Sequence, residues 1–474
     1  MPGRVGVNAL RDGFEGQVLT LGDTEYEDAR RIWNGVIDRH PAAIARCRST
    51  TDVVAAVRFA RAKNLTIAVR GGGHNVAGMA TVEGGLVVDL SELNDVRVDP
   101  DRRTVRAGGG VMLGRLDAAA QAHGLAVPVG VVSETGIAGL TVSGGMGWLR
   151  GKYGLTCDNL VAAEVVTADG EVLTADADQN ADLRWALTGG GGNFGVVTSF
   201  EFTAHPVGPE VAVTFVYYPG ERALEVLRRV DDYLAGATDE VAPIAFLGRV
   251  PQAELFPAEA HGKPYLAVLA PYIGDADAGE RVLRPLRELD EPIADLSSRM
   301  PFVEVQKLLD EDYPKGRRYY WKSIALTGLS DGAIGQMLAS LDEMRSELST
   351  IDIWFQRGAM SRVAPEATAF GDRSAPILIG VEANWEDAST DEENIAWARR
   401  CVDDLRAFSD GGVYLNFPGF MEEREEMLRG AFGANYGRLV EIKTRFDPTN
   451  AFHVNQNIPP STAGLSAPGP GRTV

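Results

Sequence analysis

The chain has 474 residues, 45% hydrophobic and 24% charged, which is ordinary globular composition and enough for two or three domains with well-buried cores. Its 46 basic and 66 acidic residues leave a net charge of −20, which repels a phosphate backbone and argues against nucleic acid as a partner. Cys47, Cys157 and Cys401 are too scattered for a disulfide framework, the six histidines show no metal-ligand spacing, and there is neither an apolar leader core nor an apolar run of membrane length, so the expectation is a soluble, cytoplasmic protein with no metal site and no membrane partner.

In chain order, residues 51–63 (TDVVAAVRFARAK) have helical periodicity behind a Thr/Asp start signal. Residues 65–70 read as a strand, 71–75 as a loop and 85–90 as a second strand. A helix is predicted over 113–123, a strand over 161–167 ending at an Ala-Asp-Gly turn, and another strand over 196–202. There is no clean βαβ alternation, so the class is α+β. A second region runs strand 211–218, helix 221–234, strands 244–250 and 265–270, helix 277–289. The same order recurs as strand 323–326, helix 331–348, strands 351–357 and 377–383, helix 391–408. Two such β-α-β-β-α units predict one antiparallel sheet covered by helices. The tail reads as a strand over 413–417, a helix over 421–439 and a buried end, FHVNQNIPP; the Pro/Gly/Ser-rich stretch after Ser461 is expected to fray.

Glycine is the informative residue. Residues 71–195 hold 25 of the 54 glycines, about 20% against roughly 7% on average. Such density means tight turns, or backbone lying close to a ligand. Three clusters carry it: AVRGGGHN (68–75), PVGVVSETGIAGLTVSGGMGWLRGKYGLTCDN (128–159) and DLRWALTGGGGNFGVVTSFEF (182–202). In the first, a strand runs into three glycines whose N–H groups suit an anion such as a pyrophosphate. It is not the dinucleotide fingerprint, because no helix follows. His74 stands on that loop, where a neutral imidazole nitrogen is a possible nucleophile.

These three clusters, with YLNF (414–417) and FDPTNAFHVNQNIPP (446–460), resemble the berberine-bridge-enzyme-like branch of the vanillyl-alcohol-oxidase flavoproteins, over about residues 38–460. The resemblance implies a PCMH-type FAD-binding domain of two α+β subdomains (1–207), a substrate-binding domain with an antiparallel sheet covered by helices (208–410), and a C-terminal segment (411–474) that returns to the FAD domain. It also implies an FAD bonded through its 8α carbon to His74. The other FAD-binding residues it implies are Arg70, Gly71, Gly72, Gly73, Asn75, Gly78 and Met79, then Thr135, Gly136, Gly139, Thr141, Gly144 and Gly145, with Val197 on the adenine side and Asn455 from the tail. Many members add a cysteinyl bond; that position is Val132 here, so single attachment is expected, with Cys157 a buried thiol near the cofactor.

Removing a hydride from an alcohol or amine needs a proton acceptor beside the heteroatom. By the resemblance this is Tyr414, with Asn416 on the same strand face and Lys322 as the cation that lowers its pKa. Glu382, an acid inside an apolar strand, is the other candidate base, and Gln356 is placed on the same sheet. The activity implied is a hydrogen-peroxide-producing oxidase acting on a small alcohol, sugar or amine with dioxygen. A flavin dehydrogenase with another acceptor and a non-catalytic flavin-binding protein remain alternatives.

Overall fold

The computed structural model describes residues 6–461 apart from 372 and 423; the stretch after Ser461 lies outside the described residues. Strands β1 (Gln17–Leu19), β2 (Ala43–Arg46), β3 (Ile67–Arg70) and β4 (Leu86–Asp89) form a first sheet in the order β1-β2-β4-β3. Helix α1 (Thr50–Ala62) joins β2 to β3, and the Ser49 hydroxyl caps it by accepting the Asp52 N–H at 3.3 Å. Because β2, β4 and β3 run parallel, a small βαβ unit stands where the sequence showed none. Strands of four residues are too short to display a period.

A second, antiparallel sheet follows: β5 (Val96–Asp99), β6 (Thr104–Gly108), β7 (Leu160–Val166), β8 (Val172–Ala175) and β9 (Val196–Thr203), in the order β5-β6-β9-β7-β8. Helix α2 (Leu113–Gln121) turns Leu113, Leu116 and Ala120 into the core it shares with this sheet, and the short α3 (Ile137–Val142) follows in the second glycine cluster.

The third sheet has eight strands: β10 (Glu210–Pro219), β11 (Ile244–Arg249), β12 (Pro264–Pro271), the short β13 (Ala294–Asp295) and β14 (Ser298–Pro301), β15 (Arg318–Leu326), β16 (Thr350–Phe355) and β17 (Ile377–Trp385). Their order is β13-β10-β12-β11-β16-β17-β15, with β14 also on β10, and every pairing is antiparallel. The two β-α-β-β-α copies are thus related about the central β11–β16 pair. Helices α4 (Ala223–Ala235), α5 (Ala276–Arg287), α6 (Phe302–Val305), α7 (Asp331–Asp342) and α8 (Asp391–Leu405) belong to this region. Alternation along the strands separates two cores. Ile351, Ile353, Ile379 and Val381 pack with α4, α5, α7 and α8, whereas Trp321, Trp354 and Leu378 face the glycine-rich half of the chain.

The tail departs from expectation twice. Residues 413–417 form a turn, not a strand: Ser323 Oγ takes the Tyr414 N–H at 3.0 Å, and the Phe417 N–H folds back to the Tyr414 carbonyl at 2.9 Å. Backbone groups satisfied by a side chain and a turn leave no ladder to build. The expected helix 421–439 is two, α9 (Arg424–Phe432) and α10 (Tyr436–Phe446), broken at Gly433 with φ +47°. Helix α7 likewise stops at Asp342, short of 348. The tail is anchored by fully buried Lys443, whose Nζ donates to Asp447 Oδ2 (2.6 Å), the Asn193 carbonyl (2.8 Å) and the Phe452 carbonyl (3.0 Å).

Asp117 on α2 is buried against the end of α6, where Gln306 Nε2 donates to its Oδ2 at 3.0 Å and to the Gly130 carbonyl at 3.3 Å. Burial raises the Asp117 carboxyl to about 7, opposed only by the Gln306 hydrogen bond. Between about pH 4 and 7 the unfolded chain has released this proton and the folded one has not, so the group's contribution to stability falls as pH rises. Asp117→Asn is expected to flatten that fall: relative to the native protein its Tm should gain between pH 5 and pH 8, measured by thermal unfolding across that range.

Candidate active site

The glycine-rich half of the chain and the large sheet line a cleft with about 1620 Å³ of space including the open solvent at its mouth. Its floor comes from two loops that meet backbone to backbone. A Cβ on Gly72 would stand 2.5 Å from the Gly136 nitrogen, and one on Gly136 would stand 2.3 Å from the Gly72 nitrogen. Only glycine permits this approach. Gly139, by contrast, lines the cleft with no atom of another segment within 4 Å of where its Cβ would be.

The first loop brings Gly71, Gly72, Gly73, His74, Asn75 and Met79 to the wall, and the second brings Thr135, Gly136 and Gly139. Val197 and Asn455 line it further along, where the Asn455 amide donates to the Gly192 carbonyl at 2.8 Å and ties the tail to the four-glycine run. Tyr414, Asn416 and Glu382 complete the set. Val132, the residue expected at the position of a second flavin bond, is also on the wall; Cys157 is buried but is not among the lining residues.

Six expected site residues lie off the cleft. The Arg70 guanidinium is committed to Asp89 (2.7 Å) and the Ala29 carbonyl (2.5 Å), so it braces the loop from behind. Thr141 Oγ1 donates to the Ile137 carbonyl inside α3. Gly78, Gly144 and Gly145 all have positive φ and pack against Ile37, Phe370 and Thr156 respectively. Lys322 is the sixth. The register pairs Trp321 with Glu382 and Lys322 with Val381, so Lys322 shares the helix-covered face with Val381 while Glu382 and Trp321 face the cleft. A period of two puts neighbouring residues on opposite faces, and the expected Lys322–Tyr414 pairing is not made. Instead the Tyr414 hydroxyl oxygen accepts from Asn416 Nδ2 (2.8 Å) and the Met146 N–H (3.2 Å), and burial pushes its pKa up to about 12. Gln356 is buried outside the cleft.

His74 is half-buried in the cleft wall, with its ring Nε2 shielded from solvent. Its ring stacks on Trp33 at 4.0 Å, which stacks in turn on Tyr319 at 3.7 Å, and Trp33 Nε1 donates to the Tyr313 carbonyl at 2.9 Å. Burial lowers the His74 pKa to about 3, so the imidazole is neutral, and its buried Nε2 has no hydrogen-bond partner among the described residues. No short-range signal in the sequence marks Trp33.

A second acid, diagonal to Glu382 on the neighbouring strand, was not expected from the sequence. Asp352 on β16 and Glu382 on β17 are each 2% exposed, in contact, and beside Tyr313. Burial, and for Glu382 the neighbouring Asp352, raises both: Asp352 to about 7 and Glu382 well above the usual carboxylate range. An aspartate inside TIDIWF was the legible signal.

A glycine cradle, a long cleft and an orphaned neutral imidazole fit an extended dinucleotide with a flavin at one end. Comparison with known proteins gives the class: a family profile described as FAD binding domain matches residues 41–176, and one described as berberine and berberine like matches 413–459. (R)-6-hydroxynicotine oxidase of Paenarthrobacter nicotinovorans is 31% identical over 457 residues, 94% of this chain and 97% of that one. An uncharacterized FAD-linked oxidoreductase of Bacillus subtilis, YgaK, is 29% identical, covering 95% of this chain and 98% of its own. The crystal structure of 6-hydroxy-D-nicotine oxidase from Arthrobacter nicotinovorans superposes with a TM-score of 0.84 at 29% identity over 94% of this chain and 98% of that one. A berberine bridge enzyme variant shares the fold, with a TM-score of 0.85 at 22% identity over 96% and 99% of the two chains. The chain therefore belongs to the berberine-bridge-enzyme-like FAD-linked oxidoreductases, with a PCMH-type FAD-binding fold. Among the described residues, no helix is long and apolar enough to cross a membrane, and no three His, Cys, Asp or Glu side chains gather as metal ligands.

Two glycine variants separate packing from cofactor binding. Gly136→Ala forces the loops apart and is expected to lower Tm by more than about 5 °C with loss of flavin. Gly139→Ala should leave Tm within about 2 °C, since alanine favours a helix, yet reduce flavin loading. Thermal unfolding with the visible absorbance of purified protein reads both.

Proposed function

We propose that this protein is an oxidase that holds one FAD covalently through His74, takes a hydride from a small alcohol, sugar or amine, and passes the electrons to dioxygen to form hydrogen peroxide. The supporting observation is the His74 imidazole: neutral, held flat on Trp33, and offering an unpartnered nitrogen inside a glycine-lined cleft. On this reading residues 1–207 bind FAD, 208–410 form the substrate domain, and 411–474 return to close the FAD domain. The (R)-6-hydroxynicotine oxidase relative supports an oxidase acting on a small molecule.

The bound flavin supplies the two-electron acceptor. The glycine backbone of 71–73, at the start of the loop, would hold the anionic part of a dinucleotide, and the apolar wall of Val69, Leu90 and Val197 would suit its flat ends. Val132 offers no thiol, which leaves His74 as the single attachment. On the opposite side the sheet presents the proton-handling groups. Tyr414, with its oxygen already accepting two N–H bonds and its pKa near 12, stays protonated at neutral pH and serves as a hydrogen-bond donor toward the substrate heteroatom. Proton acceptance falls to the Asp352–Glu382 pair, in which Asp352, raised to about 7, suits a base working near neutral pH.

Protein denatured with acid should keep a yellow chromophore in the pellet. His74→Ala should lose it, and Cys157→Ala should retain it; a flavin released by proteolysis with a cysteinyl adduct would overturn the single attachment. With a substrate in air, peroxide should appear in step with substrate loss, measured by a peroxidase-coupled assay. Tyr414→Phe should slow anaerobic flavin reduction by about tenfold or more while changing substrate binding little.

A further inference from the structure

The wall of the cleft carries two carboxyl groups and no lysine or arginine among the described residues. Asp352 and Glu382 are diagonal neighbours on β16 and β17, since Glu382 is in register with Thr350 and Asp352 with Gly380. Their Oδ1 and Oε2 atoms are buried and lack a hydrogen-bond partner among the described residues. Two carboxylates in contact and out of water cannot both ionise without a compensating cation. The groups facing them supply none. Asp312, Tyr313 and Tyr265 add only negative or neutral groups; Arg317 lies by Asp312, and Arg150 sits behind the Trp354 ring, 5.3 Å from its centroid, held by the Phe355, Gly147 and Pro243 carbonyls.

The surroundings of the pair are aromatic. Trp321 stands opposite Glu382 in the register, and Trp354 is two residues from Asp352 on the same strand face. Tyr313 meets Trp321 edge-on at 5.3 Å, as does Phe417 on the other side at 5.3 Å. An acid pair in an aromatic box attracts a cation through both charge and ring quadrupole. It repels anions once ionised.

We propose that the Asp352–Glu382 pair, boxed by Trp321, Trp354, Tyr313 and Phe417, is a recognition site for an organic ammonium ion carried on an apolar body, which narrows the substrate class to amines. This rests on the assignment of the cleft as the substrate site. The proton held between the two carboxyl groups leaves to solvent when the cation seats, so that charge balances: one positive ligand replaces one proton.

The test uses the purified flavin-carrying protein and two probes of equal shape, benzyltrimethylammonium and its neutral isostere neopentylbenzene. Neither offers an amine lone pair for turnover. Titration calorimetry is run from pH 5 to 8 in buffers of differing ionisation enthalpy. The cation is expected to bind at least about tenfold more tightly than the isostere, to release up to about one proton, and to gain affinity as pH rises toward 7. Asp352→Asn and Glu382→Gln should each weaken the cation by about tenfold or more and leave the isostere unchanged. If either variant fails to fold, judged by its flavin spectrum, the pH dependence and proton release of the native protein still decide. Equal binding of the two probes, or cation binding independent of pH, would refute the proposal. Flavin bleached anaerobically by alcohols or sugars, without cation binding, refutes the amine class and leaves the oxidase reading standing. Colourless protein that still binds the cation does the reverse.

Discussion

The backbones of Gly72 and Gly136 touch, and the rest of the site depends on that contact. It joins a loop leaving the first, largely parallel sheet to a loop entering α3, two segments more than 60 residues apart. Side chains on either would hold the loops apart by the width of a methyl group and close the path of a flat ligand. The same junction sets the place of His74, which follows at once in the first loop and is fixed laterally by Trp33. Arg70, the charged residue nearest the loop, braces it from behind through Asp89 and so contributes shape rather than charge to the cleft.

Burial decides the electrostatics on both sides of this floor. On one side the histidine is held neutral, the form in which its nitrogen lone pair is available. On the other, burial raises both carboxyl groups, Asp352 to about 7 and Glu382 well above the usual carboxylate range, and the neighbouring Asp352 further disfavours ionisation of Glu382. Tyr414, also on the cleft wall, is pushed by burial the opposite way from what a base requires. The proton-handling groups proposed for the cleft stand on the sheet wall, and both come from one copy of the repeated unit: Asp352 and Glu382 lie on adjacent strands of the second copy, next to the central pair about which the copies are related.

The large sheet works as a partition. Its helix face is sealed with aliphatic side chains, and its other face delivers aromatic and acidic groups to the cleft. Strand parity therefore assigns function residue by residue: Trp321 and Glu382 face the cleft, while Lys322 and Val381, one step along each strand, do not. The tail closes the arrangement from outside. Buried Lys443, answered by Asp447 and two carbonyls, positions the chain so that Asn455 reaches the Gly192 carbonyl.

The sequence by itself determined the elements with a sustained period and the chemistry concentrated in unusual residues. Both β-α-β-β-α units were legible because each strand and helix is long enough to repeat its pattern, and the glycine clusters with His74 were legible because three glycines before a histidine have a direct backbone consequence. The tertiary structure alone decided which residues meet. Residues 413–417 have the composition of a strand, but Ser323 and a turn satisfy their backbone, so Tyr414 and Asn416 converge without a strand. Trp33 against His74, and Asp352 against Glu382, are contacts across distant or separately folded segments, invisible to any local pattern. A period records which face a residue occupies; only packing fixes what stands opposite, and burial created there sets the charge each group carries.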